Sequence, residues 1–358
     1  MSKRLIQMIL PAAALLAALN AWADTFLEPP LPTTTNRWAM DFRMAFNVTA
    51  SFQTKFGPST PIAPPGVSGV DRNYDDGYNR VDDIGGGGYT HYWGYDDASQ
   101  YDAANHTLTM HSASGTAGSE QGSEALQFGV ELTYNRELGR RGKYRWGVET
   151  AINYMNVSIH DDQAAPVRGT LLTDTYQLPP SVNGGYVIPP PAPYHGTYEA
   201  PPSGSPTIYD TPSNRATSAL NATSSGHRDF DADVIGWRLG PYLEFPVATN
   251  FSVSLSGGFS LVGVVCDYRF RETVTYNNPG STLDGLQVPF RGSGSHAGLL
   301  AGGYVGGGIS VVLEKGWSAF GGAQFQYAGS YTHREGVGSA KLDLGKSIFV
   351  SLGATYSF

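Results

Sequence analysis

The chain has 358 residues, a formal net charge of −8 and only 15% charged residues. This acidic balance argues against nucleic acid as a partner, because the phosphate backbone attracts basic surfaces. A single cysteine, Cys266, excludes an intramolecular disulfide and any CxxC metal or redox motif. The 45 glycines and 21 tyrosines are typical of a protein with many strands that meet lipid on one face.

The N-terminus has the pattern of an export signal. Lys3 and Arg4 precede a short apolar run that ends at a small-x-small cleavage site. A membrane helix is the alternative, but the run is short for a span and contains Pro11. The sequence therefore predicts a cleaved signal peptide over 1–23, followed by a periplasmic lead-in over 24–37.

The first strand signal begins at Trp38. Apolar side chains occupy every second position as far as Phe52, whereas a helix would need a spacing of three and four. Asp41 and Arg43 lie on the opposite face of this alternation. A long strand with one apolar and one polar face is typical of a barrel wall with a wet interior.

The same alternation returns in seven further segments: 126–135, 143–154, 235–245, 251–261, 299–313, 317–331 and 347–358. Long loops are predicted at about 53–122 and 161–229, and a medium loop at about 272–294. The connections alternate between long and short, which is the asymmetry of outer-membrane barrels. The count is about eight strands, or ten if 86–95 and 105–112 form a wall hairpin.

Aromatic residues cluster at the ends of these segments that adjoin the short turns. We expect them to form a girdle at the membrane interface. The set is Trp38, Tyr144, Trp146, Phe245, Phe251, Trp317, Tyr356 and Phe358.

The final segment, Ser347 to Phe358, alternates between apolar and small or polar residues and ends on an aromatic side chain. It resembles the closing strand of bacterial outer-membrane β-barrels, and the whole pattern resembles their small eight-stranded, OmpA/OmpX-like class. The resemblance implies an all-β, antiparallel, up-and-down transmembrane barrel over 38–358, located in the bacterial outer membrane. It also implies outer-membrane lipid, lipopolysaccharide and the barrel-assembly machinery as partners.

A soluble β-sandwich or a lipocalin-like barrel is the alternative fold, and it would bury the apolar face. Four side chains decide between the two folds. Phe42, Phe128, Leu255 and Phe325 should point outward in a membrane barrel and into a shared core in the alternative.

The inward face of the predicted barrel is charged. Opposite charges in a narrow interior should pair, because an unpaired ion there is costly. We therefore expect a lumen filled by a polar network, and a narrow porin-like channel is the alternative. The predicted members are Asp41, Arg43, Glu131, Lys143, Arg145, Glu149, Arg238, Glu244 and Gln324.

One loop, 71–82, resembles an oxygen-ligand calcium loop. Asp71, Asn73, Asp75 and Asp82 take the first, third, fifth and twelfth positions. The glycine comes one place late, and the twelfth residue is Asp rather than Glu. An acidic surface loop explains the segment without a metal, so calcium is a minor alternative and no other cofactor is predicted.

Histidines near the predicted extracellular rim are candidates for catalysis; they are His160, His227, His296 and His333. His160 adjoins Asp161, and His227 lies close to Asp229. Outer-membrane enzymes that trim or acylate lipid A use a His with Ser or acidic partners, but no family motif matches here. The sequence favours a structural or surface-interaction role without enzymatic activity, keeps a lipid A-modifying enzyme as the less favoured alternative, and names no extracellular ligand.

Overall fold

The computed structural model describes residues 36–81, 88–122, 126–141, 144–181, 184–197, 206–314 and 316–358. The predicted signal peptide, 1–23, and most of the lead-in lie outside these residues. The described residues form β-strands and one short 3-10 helix, Ala98–Gln100. They contain no helix with the length and apolarity needed to span a bilayer.

The strands are numbered in chain order. They are β1 Asn36–Phe46, β2 Thr49–Phe56, β3 Arg72–Asn73, β4 Gly77–Asn79, β5 Tyr89–Thr90, β6 Trp93–Tyr95, β7 Tyr101–Asp102, β8 Thr107–Gly122, β9 Gln127–Arg141, β10 Tyr144–Asp161, β11 Ala165–Gln177, β12 Tyr194–His195, β13 Ile208–Tyr209, β14 Asn214–Ala219, β15 Ala222–Ala248, β16 Phe251–Tyr276, β17 Gln287–Val312, β18 Trp317–Tyr327, β19 Ser330–Glu335, β20 Gly338–Asp343 and β21 Ser347–Ser357.

The main sheet is antiparallel and closes on itself. Its pairings form a circuit through β1, β9, β10, β15, β16, β17, β18 and β21. Strands β11, β8, β2, β20 and β19 extend the same sheet from β15, and the sheet has 15 strands in all. The predicted antiparallel barrel class is confirmed. The predicted count of about eight strands is not, because the sheet is larger.

The extra strands come from segments that were predicted as loops. β8 lies within 53–122, β11 and β14 lie within 161–229, and β19 and β20 follow Tyr327. The predicted wall hairpin is absent from the described residues, since Trp93–Tyr95 pairs in a separate four-stranded sheet. These segments escaped prediction because their apolar residues face the interior and are interrupted by Gly- and Pro-rich turns.

Large apolar side chains cover the outside of the circuit. The exposed fractions are 72% for Phe42, 65% for Phe128, 54% for Leu255 and 43% for Phe325. A shared core for these four side chains is therefore excluded, and the barrel is apolar outside in this region. The eight strands of the circuit enclose the polar residues of the interior.

The polarity of the wall reverses along single strands. On β15, Arg238 faces the interior while Trp237 and Leu239 face outward. A few residues earlier on the same strand, Phe230 is fully buried while Asp231 is exposed. The strand alternates without interruption, so only the chemistry of its two faces is exchanged. We call the lower part, with the apolar exterior, the belt, and the upper part, with the polar exterior, the stem.

The stem is filled with apolar side chains. We call its first interior layer the plug; its buried members include Phe52, Met155, Val157, Ile159, Phe230, Val234, Val262, Val264, Tyr268, Leu342 and Phe349. A second apolar layer above it includes Phe56, Val167, Leu171, Val274 and Tyr276. The chain between the stem strands folds into a head, which comprises β3–β7, β12 and β13 and packs around Trp93, Tyr95 and Tyr176.

The head is held by one buried arginine. Arg72 is fully buried and donates hydrogen bonds to five backbone carbonyls, those of Ala63, Pro64, Val67, Val70 and Asp210. Because these carbonyls belong to two separate stretches of chain, the guanidinium joins the two long excursions into one folded unit.

Candidate functional site

A charged network lies in the interior of the belt. Arg238 donates to Glu131 at 2.8 Å between Nη2 and Oε1, and it also bonds Glu149. Arg43 bonds the other oxygen of Glu131, and all these side chains are buried. The strand register brings these side chains together, because β9 and β15 both pair with β10 and alternate residues of each strand face inward. The charges therefore compensate one another instead of lining an open pore.

Asp41 is the carboxylate that this network leaves unsatisfied. It lies directly opposite Glu131 in the β1–β9 ladder and is 3% exposed. Its Oδ1 atom accepts no hydrogen bond from the described residues. Both neighbouring arginines bond Glu131 instead, so Asp41 faces the remaining space of the lumen.

That space is a vestibule of about 210 Å³. Charged residues of β1, β9, β10 and β15 line one side of it, and Ser or Gly residues of β16 and β17, such as Ser254 and Gly308, line the other. Such a volume holds several water molecules. The plug begins where the vestibule ends, at Met155, Val262 and Phe349.

The structure brings most of the predicted lumen residues together. Seven of them line the vestibule: Asp41, Glu131, Arg145, Glu149, Arg238, Glu244 and Gln324. Arg43 is buried beside them, and Glu244 accepts a 2.7 Å hydrogen bond from Arg37, which the sequence did not single out. Lys143 lies outside the described residues.

The predicted girdle residues lie together at one end of the belt. Trp38, Tyr144, Trp146, Trp317, Tyr356 and Phe358 are exposed, and Phe245 and Phe251 are half-buried. Their rings meet in cross-strand pairs, such as Tyr144 with Phe245 at 5.1 Å and Trp317 with Tyr356 at 5.1 Å between centroids. Amphipathic rings in this arrangement suit a membrane–water interface.

The predicted calcium loop belongs to the head. Asp71 Oδ1 accepts from Val81 N, and Asp75 Oδ2 accepts from Ala113 N. Asn73 Oδ1 accepts from Arg80. Within the described residues no group of three His, Cys, Asp or Glu side chains is arranged for a metal ion. Asp82 lies outside the described residues, and calcium binding stays a prediction.

A polar column runs up the outer wall of the stem, above the belt. Ser158 Oγ lies 3.2 Å from His160 Nε2, and His160 Nδ1 lies 2.7 Å from Asp229 Oδ1. The Ser158 hydroxyl also lies 2.6 Å from Asp231 Oδ1. Below them, the Tyr154 hydroxyl donates to Asp233 at 2.6 Å.

The other three candidate histidines lie in different surroundings. His227 Nδ1 contacts Asp162 at 2.6 Å in an exposed pair. The exposed His296 stacks on the buried His333 at 5.8 Å between ring centroids, and His296 Nδ1 lies 2.7 Å from the Tyr331 hydroxyl. Sequence reasoning paired His160 with Asp161, but Asp161 points inward and bonds Arg228.

Sequence reasoning missed two features of this region. Ser158 is not among the predicted site residues, although it sits two residues before His160 and therefore shares its strand face. Arg228 and Glu272 were assigned to loops, yet they form an ion pair in the stem at 2.7 Å. Asp229, Asp231 and Asp233 lie on the same outward face of β15 as Ile235. This change from apolar to acidic residues along one face was the available signal that β15 leaves the lipid at this point.

No protein-family model matches the chain, and no curated protein matches it in sequence. Solved structures similar to it include the attachment invasion locus protein Ail of Yersinia pestis, in complex with the heparin analogue sucrose octasulfate, at 8% identity and a TM-score of 0.31 over 91% of this chain and 100% of that chain. The outer membrane protease OmpT from Escherichia coli has 8% identity and a TM-score of 0.32 over 93% of this chain and 100% of that chain. Likeness at this level carries no statement about activity.

The fold follows from the structure itself. A closed antiparallel wall, an apolar exterior belt with an aromatic girdle and a charged interior are the features that let strands cross a bilayer without an unpaired edge. The chain is thus an all-β barrel of the outer-membrane type.

Proposed function

We propose that the chain is an integral protein of the bacterial outer membrane with a structural or surface-interaction role. In this proposal the belt anchors the barrel, and the stem carries the head away from the bilayer. The observation that carries it is the exchange of polar and apolar faces along β15. A wall that is apolar outside in one part and apolar inside in the next matches lipid around the first and water around the second.

The height of the belt supports this placement. On β16 the outward apolar residues extend from Phe251 to Leu261. Ten residue steps of about 3.3 Å, tilted by roughly 40°, rise about 25 Å, which is the apolar height of outer-membrane barrels. Outer-membrane lipid and lipopolysaccharide are therefore the proposed surroundings of the belt. The barrel-assembly machinery is the proposed partner of the terminal strand, which ends at the exposed Phe358.

The head supports the contact role. Arg80 lies over the rings of Tyr78 and Tyr92, at 4.8 and 5.1 Å from their centroids, and His195 stacks on Tyr78. All four side chains are at least partly accessible. Preordered aromatic and arginine side chains are characteristic of contact surfaces, since little conformational entropy remains to be lost on binding.

A narrow channel for small solutes is less well supported. The vestibule offers a polar entrance at one end of the barrel. The plug then fills the stem with buried apolar side chains, among them Val157, Phe230 and Val264. Within the described residues the polar lumen does not continue past this layer, so the geometry favours a closed barrel.

Site-specific labelling in intact cells tests the proposed placement. A thiol at Ser293→Cys, on the outer face of the stem, should react with a membrane-impermeant maleimide. A thiol at Asn250→Cys, in the turn at the opposite end, should react only after the outer membrane is permeabilised. The native Cys266 is buried and should give little background. Labelling of Asn250→Cys but not Ser293→Cys in intact cells would reverse the orientation and overturn the surface role.

A further inference from the structure

We propose that Ser158, His160 and Asp229 form a nucleophile–base–acid triad on the outer wall, which hydrolyses an acyl ester of an outer-leaflet lipid. The hydroxyl lies 3.2 Å from His160 Nε2, and the carboxylate lies 2.7 Å from His160 Nδ1. Each imidazole nitrogen thus faces the partner that its role requires. This inference goes beyond the surface-interaction role, and its substrate class rests on the proposed placement of the belt in the outer membrane.

Strand geometry fixes the triad. Ser158 and His160 are two residues apart on β10, so both side chains point outward. The β10–β15 register places Asp229 opposite His160 and Asp231 opposite Ser158. The three groups therefore stand on a continuous hydrogen-bonded sheet, which is more rigid than a loop.

The location selects the substrate class. Ser158 is four residues above Tyr154, an exposed aromatic at the upper edge of the belt. Four steps of about 3.3 Å at a tilt of roughly 40° rise about 10 Å. A site at this height faces the interfacial region of the outer leaflet, where acyl esters join fatty chains to polar head groups. Apolar side chains lower on the same face, first Ile235 and then Trp237, offer a wall along which an acyl chain can lie.

The reaction balances with water as the only co-reactant. Ser158 Oγ attacks the ester carbonyl carbon while its proton passes to His160 Nε2. The tetrahedral adduct then expels the alcohol, which takes that proton from Nε2, and an acyl-serine remains. Water adds to the acyl-serine, gives a proton to Nε2, and releases the fatty acid as the proton returns to Ser158.

Two neighbouring side chains complete the arrangement. Asp231 accepts from the Ser158 hydroxyl at 2.6 Å and so competes with His160 for that proton. Asn156 precedes Ser158 on the same face, and its amide reaches Asp233 at 3.3 Å. The amide also donates to the Ala232 carbonyl at 3.4 Å, so it has to turn away from these wall contacts to donate to the carbonyl oxygen as negative charge develops there.

A serine-directed probe and a lipid assay test the proposal together. The folded full chain in detergent is treated with a fluorophosphonate, and the modified peptide is identified by mass spectrometry. Separately, vesicles of outer-membrane glycolipid or of diacyl phospholipid are assayed for released fatty acid. We expect an adduct on Ser158 and fatty acid release from at least one vesicle type. Both signals should vanish in Ser158→Ala and fall at least about 100-fold in Asp229→Asn.

His227→Ala is the matched control. It removes the other exposed His–Asp pair of the same wall, and within the described residues the hydrogen-bond partner of His227 is Asp162 and not a hydroxyl. We expect this variant to keep full activity. Asp231→Asn should raise the rate, because an amide oxygen accepts the serine proton more weakly than the carboxylate that it replaces.

Several results would overturn the triad. One is a folded wild-type chain that neither binds the probe nor releases fatty acid. Another is fatty acid release that persists in Ser158→Ala. A third is an equal loss of fatty acid release in Asp231→Asn and in Asp229→Asn. Folding of every variant is checked by the gel mobility of the unheated barrel. Because the cysteine-labelling experiment reports only on placement, it can succeed while the triad fails.

Discussion

Arg228 shows at the residue scale how the stem tolerates charge in an apolar interior. Its guanidinium lies 2.8 Å from Asp161 and 2.7 Å from Glu272, and all three side chains are buried. Glu272 also accepts hydrogen bonds from Thr54 and Ser224. A fully hydrogen-bonded ionic layer between two apolar layers fixes how the stem strands meet, because a shifted register would leave a buried charge unpaired.

This layer predicts acid sensitivity of the stem. Burial alone would raise the pKa of Glu272, but hydrogen bonds from Arg228, Ser224 and Thr54 outweigh burial and lower it. The pKa of Asp161 is lowered against the same effect of burial by Ser119, the Gln163 backbone and Arg228. Both groups bind protons more weakly in the folded state than in the unfolded state. Their stabilisation is therefore complete above the ordinary carboxylate pKa of about 4 and is lost as pH falls through the lowered values. Urea unfolding of the refolded barrel from pH 6 to pH 2 measures this loss.

Arg228→Met provides the contrasting variant. Without the guanidinium, two buried carboxylates remain and burial favours their neutral forms. We expect a loss of about 3–5 kcal/mol in the free energy of unfolding at pH 7, with partial recovery on acidification. If the free energy of unfolding of this variant fell on acidification as it does in the wild type, Arg228 would not be the group that keeps the buried Asp161 and Glu272 ionised.

Residues were predictable where one physical rule acted alone. Alternation placed Asp41, Glu131 and Arg238 on the inward face, and the structure brings them to one network. The meeting of His160 with Asp229 was not predictable from either segment alone. It depends on the β10–β15 register, which joins positions some seventy residues apart.

At the element scale, β15 carries two environments on one uninterrupted strand. Its 27 residues exceed the length needed to cross a bilayer. The hydrophobic pattern was predicted only for 235–245, where the outward face is apolar. The earlier half has its apolar residues on the other face, and its neighbours in sequence are Pro- and Gly-rich, so the segment was assigned to a loop.

This division predicts opposite tolerance of charge on one face of β15. Leu239 faces outward near the middle of the belt, and Ser225 faces outward in the stem. Leu239→Arg should cost about 2–4 kcal/mol in a lipid vesicle, because a charge at the bilayer midplane is poorly solvated. Ser225→Arg should change stability by less than about 0.5 kcal/mol. Urea unfolding in vesicles compares the two variants, and equal costs would remove the distinction between belt and stem.

At the scale of the whole molecule, the barrel class was predictable and its size was not. Inside-out alternation of apolar and polar residues specifies a membrane barrel, and it depends only on local sequence. The larger sheet depends on β8, β11, β19 and β20, which pair mostly with strands distant in sequence. Such pairings are set by packing in the stem interior, which a strand-by-strand pattern does not reveal.

The layered interior predicts that the barrel does not conduct. Ions entering the vestibule meet the plug, and above it the Arg228 layer and a second apolar layer fill the stem. Reconstituted in planar bilayers, the wild type should show no ohmic steps. Met155→Ala should stay closed too, since one truncated side chain leaves the layers above intact.

A thiol at Ser254→Cys, in the vestibule, should nevertheless react with small methanethiosulfonates, whereas one at Val264→Cys, in the plug, should not. Steady wild-type conductance that changes its ion selectivity in Glu149→Gln would instead establish the channel.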